Sequence, residues 1–233
     1  VTPTHGLLNP NHYLSVAIDY LCKNRDWDNS IAIGKTLVSS AMIDRVVGAN
    51  ERPLMEVPVG FKWFAKGLFE RSIAFAGEES AGATLLDRKG NTWTTDKDGI
   101  VMALLAAEIL AKTGKNPGQY YDDLCQQHGT AYYRRVDTAS SVQKNARFKD
   151  IRAYKVKLAE LAGDSVSDIS TKAAGNDAQF GGIKVTTDNG WFAARPSGTE
   201  PVYKIYAESF VSEQHLDDIL EQATTWVNDL LSD

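Results

Sequence analysis

The segment Arg195-Pro196-Ser197-Gly198-Thr199-Glu200-Pro201 brings a guanidinium fork, two short hydroxyls and a glycine together within five residues. Anion binding asks for those parts: paired N–H donors, hydroxyls beside them, and a backbone free to turn its N–H groups toward the charge. Proline, serine and glycine between two strand-like runs also make an ordinary hairpin turn, so composition alone leaves both readings open. A second segment, Gly77-Glu78-Glu79-Ser80-Ala81-Gly82, closes the apolar run Ile73 to Ala76. Ligands of open α/β sheets bind beyond the carboxyl ends of strands, and two carboxylates with a hydroxyl there suit a polyol, whose vicinal OH groups need acceptors. A solvated turn carries the same residues. A nucleophile elbow is excluded, because it needs glycine two positions before the serine and Glu78 stands there. Lys97-Asp98-Gly99 opens a long helix-forming stretch. The helix dipole opposes a lysine in a first turn, which makes Lys97 a candidate cation for phosphate or proton transfer, with plain solvent exposure as the alternative.

Other patterns fall away. Gly34-Lys35-Thr36 ends like a phosphate-binding loop, but the glycine required five residues earlier is Asn29. No GxGxxG, HExxH or CxxC occurs, and His5, His12, His128 and His215 form no close-spaced metal pair. The chain has 233 residues, 43% hydrophobic and 24% charged, with a net charge of -5, the composition of a folded globular protein. An acidic chain without a Lys/Arg block argues against nucleic-acid or anionic-membrane partners and for small ones. Cys22 and Cys125 stand in unrelated contexts and read as free thiols of a reducing cytosol, so a cytoplasmic location is expected. Apolar stretches such as Ile100 to Leu110 fall short of the roughly 20 residues a membrane span needs. The sequence opens on Val1 without an initiator Met or a signal peptide, and an excised piece of a longer chain is expected.

These candidates must be held by elements that the periodicity outlines. Helical spacing runs from His12 to Lys23 after a capping Asn, then strand-like and helical runs alternate: Ser30 to Gly34, Ser40 to Val47, Leu54 to Val57, Val59 to Arg71 and Ile73 to Ala76. Alternation of this kind predicts a sheet with helices packed against it. Helices are expected from Lys97 to Ala111 and around Tyr121 to Gln127, a strand at Tyr132 to Val136, and a further helix from Gln143 to Leu161. Ala162 to Asp177, small and polar, reads as a linker. Beyond it, strands at Gly182 to Thr186, Gly190 to Ala194 and Val202 to Glu208 precede a closing helix from Glu213 to Leu231. The expected fold is α/β, with a first domain over 1–165 and a smaller α+β domain over 166–233.

Taken together, the two loops resemble those of the α-D-phosphohexomutase superfamily, in particular the bacterial phosphoglucomutases. Glu56-Val57-Pro58-Val59-Gly60-Phe61-Lys62-Trp63-Phe64 is similar to that family's V-P-T-G-x-K-x-F segment, and Asp96-Lys97-Asp98-Gly99 also matches in order. The resemblance implies that Arg195, Ser197, Gly198 and Thr199 bind phosphate, that Glu78 and Ser80 hold sugar hydroxyls with Gly60 and Val59 beside the sugar, and that Lys97 is a catalytic cation. Val59 stands where many relatives carry Thr, so its side chain brings no hydroxyl. His5 is expected to approach the substrate. The family's phosphoserine motif T-A-S-H-N is absent: Thr138-Ala139-Ser140-Ser141 lacks its His-Asn pair and lies out of order. The D-x-D-x-D-R magnesium loop is absent too, and Val1-Thr2-Pro3 resembles the family's segment immediately after that loop. The resemblance therefore implies the third and fourth domains of such an enzyme, an α/β sandwich and a TATA-box-binding-protein-like antiparallel sheet with helices. It implies a sugar-phosphate substrate, the enzyme's N-terminal domains as partner, Mg2+ held outside this chain, and glucose 1,6-bisphosphate as intermediate. A phosphomannomutase, a dual-specificity enzyme or a non-catalytic sugar-phosphate-binding module stands as the alternative.

Overall fold

The structure, a computed structural model, describes residues 1–153, 156–198 and 200–231, with the side chains of Val142 and Lys149 also left aside. Contacts divide the chain into two units, Val1–Gly129 with Ala174–Asn176, and Thr130–Ala173 with Asp177–Asp233.

In the first unit α1 spans Pro10–Asn24, starting where the Asn9 side chain accepts the Asn11 N–H and a proline takes the first helical position. It is followed by β1 (Ala32–Thr36), α2 (Met42–Ala49), β2 (Leu54–Val57), α3 (Lys62–Phe69), β3 (Ile73–Gly77) and β4 (Ala83–Leu85). β1 lies between β2 and β3, both parallel to it, and β4 adds an antiparallel edge. Continuous apolar runs mark strands covered on both faces, and β3 is buried at every position. Phe64 and Leu68 of α3 pack onto Val57, Ile73 and Ala76. Gly34 belongs to this contact, since a Cβ there would come within 2.9 Å of the Phe64 ring. Two more helices follow: α4 (Gly99–Thr113), stopped by the left-handed Gly114, and α5 (Pro117–His128), whose Asn116 and Gln119 form a capping box.

The second unit is a six-stranded sheet with β5 (Tyr132–Ala139), a short α6 (Val142–Arg147), then β6 (Glu160–Leu161), β7 (Asp164–Lys172), β8 (Gln179–Thr187), β9 (Gly190–Pro196), β10 (Val202–Ser209) and α7 (Glu213–Leu230). Every pairing in it is antiparallel. Leu216, Ile219, Leu220, Ala223 and Val227 lay the apolar stripe of α7 on Phe192, Ala194, Ile205 and Ala207. β5, which lies before the expected division at 165/166, pairs along its whole length with β10.

Two expectations are corrected. The helix over 143–161 stops at Arg147: a short 3-10 turn follows at Phe148–Asp150, Ile151 is extended, and Phe148, Ile151 and Leu161 enter the core. Burial of those side chains outweighs the helix propensity of the stretch. The linker over 162–177 is mostly strand β7, which pairs with β8; its Ser, Asp and Thr residues hide a ladder built by the backbone.

α1 and α4 are joined by ions. Arg25, at the end of α1, makes two hydrogen bonds to the Glu108 carboxylate, at 2.8 and 3.0 Å, and Arg88 and Tyr20 donate to the same group. Hydrogen bonds from Arg25 hold the Glu108 pKa down to about 2 from an ordinary 4.5. A carboxyl depressed on folding stabilises above its unfolded pKa and loses that contribution as pH falls through the folded value. Glu108→Gln should therefore lower the melting temperature at pH 7, and the gap to the parent chain should narrow on acidification below about pH 4.5. Melting curves at pH 7 and pH 3 check this; a constant gap contradicts it.

Candidate functional site

Parallel pairing sends the chain out of β1, β2 and β3 at the same sheet edge, and the loops that leave them meet there. The loop after β3 is folded on itself: the Glu78 N–H donates to the Gly82 carbonyl at 2.8 Å and the Ala81 N–H to the Glu78 carbonyl at 3.0 Å. Glu78 is 7% exposed, and its Oε1 accepts the Gly60 N–H at 3.0 Å from the loop after β2. Gly60 holds φ +126°, which a side chain would oppose. Glu79 is tied to the first loop, where the buried Thr36 hydroxyl donates to its Oε2 at 2.9 Å and lies 2.8 Å from Ser39 Oγ.

Lys97 joins this group from the α4 side. Asp98 caps α4 through the N–H groups of Ile100 and Val101, and its own N–H donates to the Ala83 carbonyl beside β4. The Lys97 stem crosses Gly82, where a Cβ would lie 2.3 Å from its Cδ. Its ammonium is 3.0 Å from Asp96 Oδ1 and 4.9 Å over the Phe61 ring. Glu78, Gly60 and Lys97 are thus brought together, with Val59 adjoining in the chain and Ser80 exposed at the tip of the loop. Burial pushes the Glu78 carboxyl above its ordinary range, and Glu79 adds to this, while the Gly60 N–H and Lys97 oppose it. Such a site offers a desolvated acceptor next to an ammonium.

His5 is placed elsewhere. Its ring covers Gly118 in the first turn of α5, with Nε2 3.2 Å from Asp122 and Nδ1 2.7 Å from the Thr4 hydroxyl. The neighbouring His12 stacks on Tyr121 at 3.9 Å, and burial, aided by His5, lowers its pKa to about 4.

In the second unit Arg195 ends β9 and the 197–201 loop returns to β10. The Ser197 N–H donates to the Val202 carbonyl at 2.9 Å, the Glu200 N–H reaches Ser197 Oγ at 3.3 Å, and Gly198 is open on the side a Cβ would occupy. Thr199 lies outside the described residues. Arg195 donates to its neighbour's carbonyl at 3.3 Å and to the Tyr206 phenol at 3.4 Å, and its buried Nε has no partner among the described residues. Lys204, opposite it in register, is taken by Asp137 at 3.0 Å and Glu200 at 3.7 Å. Sequence reasoning missed Tyr206, which read as an ordinary strand residue, and dismissed Thr36 with the rejected Gly34-Lys35-Thr36 pattern. It also set Lys35 aside with the rejected phosphate-loop pattern; that lysine is buried in β1 against Asp44 and Glu56.

Residues 9–128 match the phosphoglucomutase/phosphomannomutase alpha/beta/alpha domain III, and residues 141–225 match the C-terminal domain of the same family. The chain belongs to the phosphoglucomutase/phosphomannomutase family. It is 51% identical over its whole length to a phosphoglucomutase of Komagataeibacter xylinus, of which it covers 42%. A phosphoglucomutase/phosphomannomutase of Thermococcus kodakarensis is 28% identical over 80% of the chain, which covers 35% of that protein. Among solved structures, the phosphoglucomutase parafusin of Paramecium superposes with a TM-score of 0.68 at 20% identity, covering 97% of this chain and 42% of parafusin. The chain thus spans less than half the length of these phosphohexomutases and corresponds to their C-terminal part. Its α/β domain followed by an antiparallel α+β domain is their architecture. Among the described residues, no three His, Cys, Asp or Glu side chains converge to hold a metal, and no helix is long and apolar enough to cross a membrane.

If Lys97 stabilises the Glu78 carboxylate, Lys97→Met should raise the Glu78 pKa further, because only the charged form gains from the ammonium. Carbon-13 NMR titration of the glutamate carboxyls reads this; an unchanged or lowered value contradicts the coupling.

Proposed function

We propose that this chain is the substrate-binding half of a phosphoglucomutase that interconverts glucose 1-phosphate and glucose 6-phosphate. The observation that carries the reading is the pair of unlike loops, one with a desolvated carboxylate and one with an uncompensated guanidinium, in a chain 51% identical to a phosphoglucomutase. That identity favours glucose over mannose as the substrate.

In this reading each loop recognises a different chemical part of a sugar phosphate. Glu78 and Ser80, with the backbone at Val59 and Gly60, accept ring hydroxyls. Arg195, with Ser197, Gly198 and Thr199, holds the phosphate that is not being transferred; the guanidinium supplies planar donors and the loop its N–H groups. Lys97 offers a proton or a positive charge to the reacting oxygen, its ammonium kept near the site by the Phe61 ring. A phosphoserine elsewhere in the enzyme gives and retakes the phosphoryl group, with glucose 1,6-bisphosphate formed in between. In this reading magnesium is held by that other part of the enzyme. The chain alone should bind substrate without turning it over.

Two substitutions separate the roles, read by NMR titration of the chain with glucose 1-phosphate and with inorganic phosphate. Arg195→Ala should weaken both ligands about tenfold or more while shifting the melting temperature little, because a charged contact is lost from a loop. Glu78→Gln should weaken glucose 1-phosphate and leave inorganic phosphate unchanged. Equal loss of both ligands in Glu78→Gln would remove Glu78 from the sugar site, and turnover of glucose 1-phosphate by the isolated chain would refute the division of labour.

A further inference from the structure

We propose that Tyr206 is the positioning residue of Arg195, holding its guanidinium in place to receive a phosphate. The inference rests on the phosphate reading of the 195–199 loop and names what that loop needs from the sheet beneath it.

Register pairs Arg195 with Lys204 across β9 and β10, and residues two apart on a strand share a face. Tyr206 therefore stands on the face of Arg195, one diagonal step along the neighbouring strand, within reach for a long side chain. Its phenolic oxygen accepts from Arg195 Nη2 at 3.4 Å, and the guanidinium carbon is 5.9 Å from the ring centroid. Tyr206 is 1% exposed, so its ring is held by packing and can act as a fixed stop for a flexible side chain. A second hydrogen bond, from Nη1 to the Pro196 carbonyl, limits rotation of the guanidinium about its stem.

What these contacts leave over points to an anion. Arg195 Nε is buried without a partner among the described residues, an arrangement native structures seldom keep unless a ligand completes it. Among those residues no carboxylate pairs with Arg195, whereas Asp137 and Glu200 neutralise the adjacent Lys204. Tyrosine suits the position because it restrains a cation without cancelling its charge; an acidic residue there would compete with the phosphate.

A double-mutant cycle tests the idea, with inorganic phosphate as probe and amide shifts of the chain as readout. Tyr206→Phe, which keeps the ring and removes the acceptor, should weaken phosphate binding about threefold to tenfold. In an Arg195→Lys background the same change should cost nothing, since the group it positions is gone. An equal loss in both backgrounds means that the phenol acts on the phosphate itself and overturns the positioning role, as does unchanged binding in Tyr206→Phe. The phosphate reading fails separately: it falls if Arg195→Ala binds phosphate as the parent chain does.

Discussion

A carboxylate buried at the edge of a parallel sheet sets the terms for the first unit. Removing an ionised group from water costs several kcal/mol unless donors and charges replace the lost hydration. Around Glu78 those replacements come from separate places in the sequence: a backbone N–H from Gly60, a cation from Lys97, and a loop closed by its own hydrogen bonds. Each needs a particular local structure. Gly60 can aim its N–H only from a backbone with positive φ, and Lys97 can approach only because Gly82 has no Cβ. The parallel register of β1, β2 and β3 makes the meeting possible, since it delivers their outgoing loops to one edge. Thr36 then ties Glu79 to the first loop, which keeps the second carboxylate from turning in on Glu78, where it would add to the repulsion already present.

The second unit meets the opposite problem. In the phosphate reading its cation must stay charged, ordered and unpaired, and nearby carboxylates would spoil the last of these. Its sheet separates the roles by position: Lys204 takes Asp137 and Glu200, while Arg195 is restrained by a carbonyl and a phenol that carry no charge. The apolar underside, with Phe192, Ala194 and Ile205 packed on α7, gives the strands the rigidity that such placement needs.

Much of this was legible in the sequence because local chemistry and tertiary structure agree there. Asn9-Pro10 announces a helix start that the structure uses, and the run Ile73 to Ala76 marks a strand covered on both faces. The loops at 77–82 and 195–201 stand out because glycine, hydroxyls and charge are dense in them. The failures have a common cause. Residues 143–161 have helical composition but surrender Phe148, Ile151 and Leu161 to the core, and β7 is polar because its ladder depends on backbone rather than side chains. Tyr206 was invisible for a related reason: it looks like an ordinary strand former, and only register shows which charged group it touches. His5, named by resemblance alone, contacts Gly118 and Asp122 through the packing of α5, which no short pattern encodes.

The contrast between the two loops extends to how strictly each can recognise what it binds. A carboxylate with several lone pairs accepts from whichever hydroxyls arrive, and a planar guanidinium recognises a phosphate without reference to its carbon. Neither group demands a single pose of its ligand. Precision is then needed in the supports rather than in the contacting groups: Gly60 and Gly82 for the carboxylate, Tyr206 and the Pro196 carbonyl for the guanidinium. Tolerant contacts therefore depend on rigid supports, because a support that moves loses affinity for every pose that the contact itself would accept.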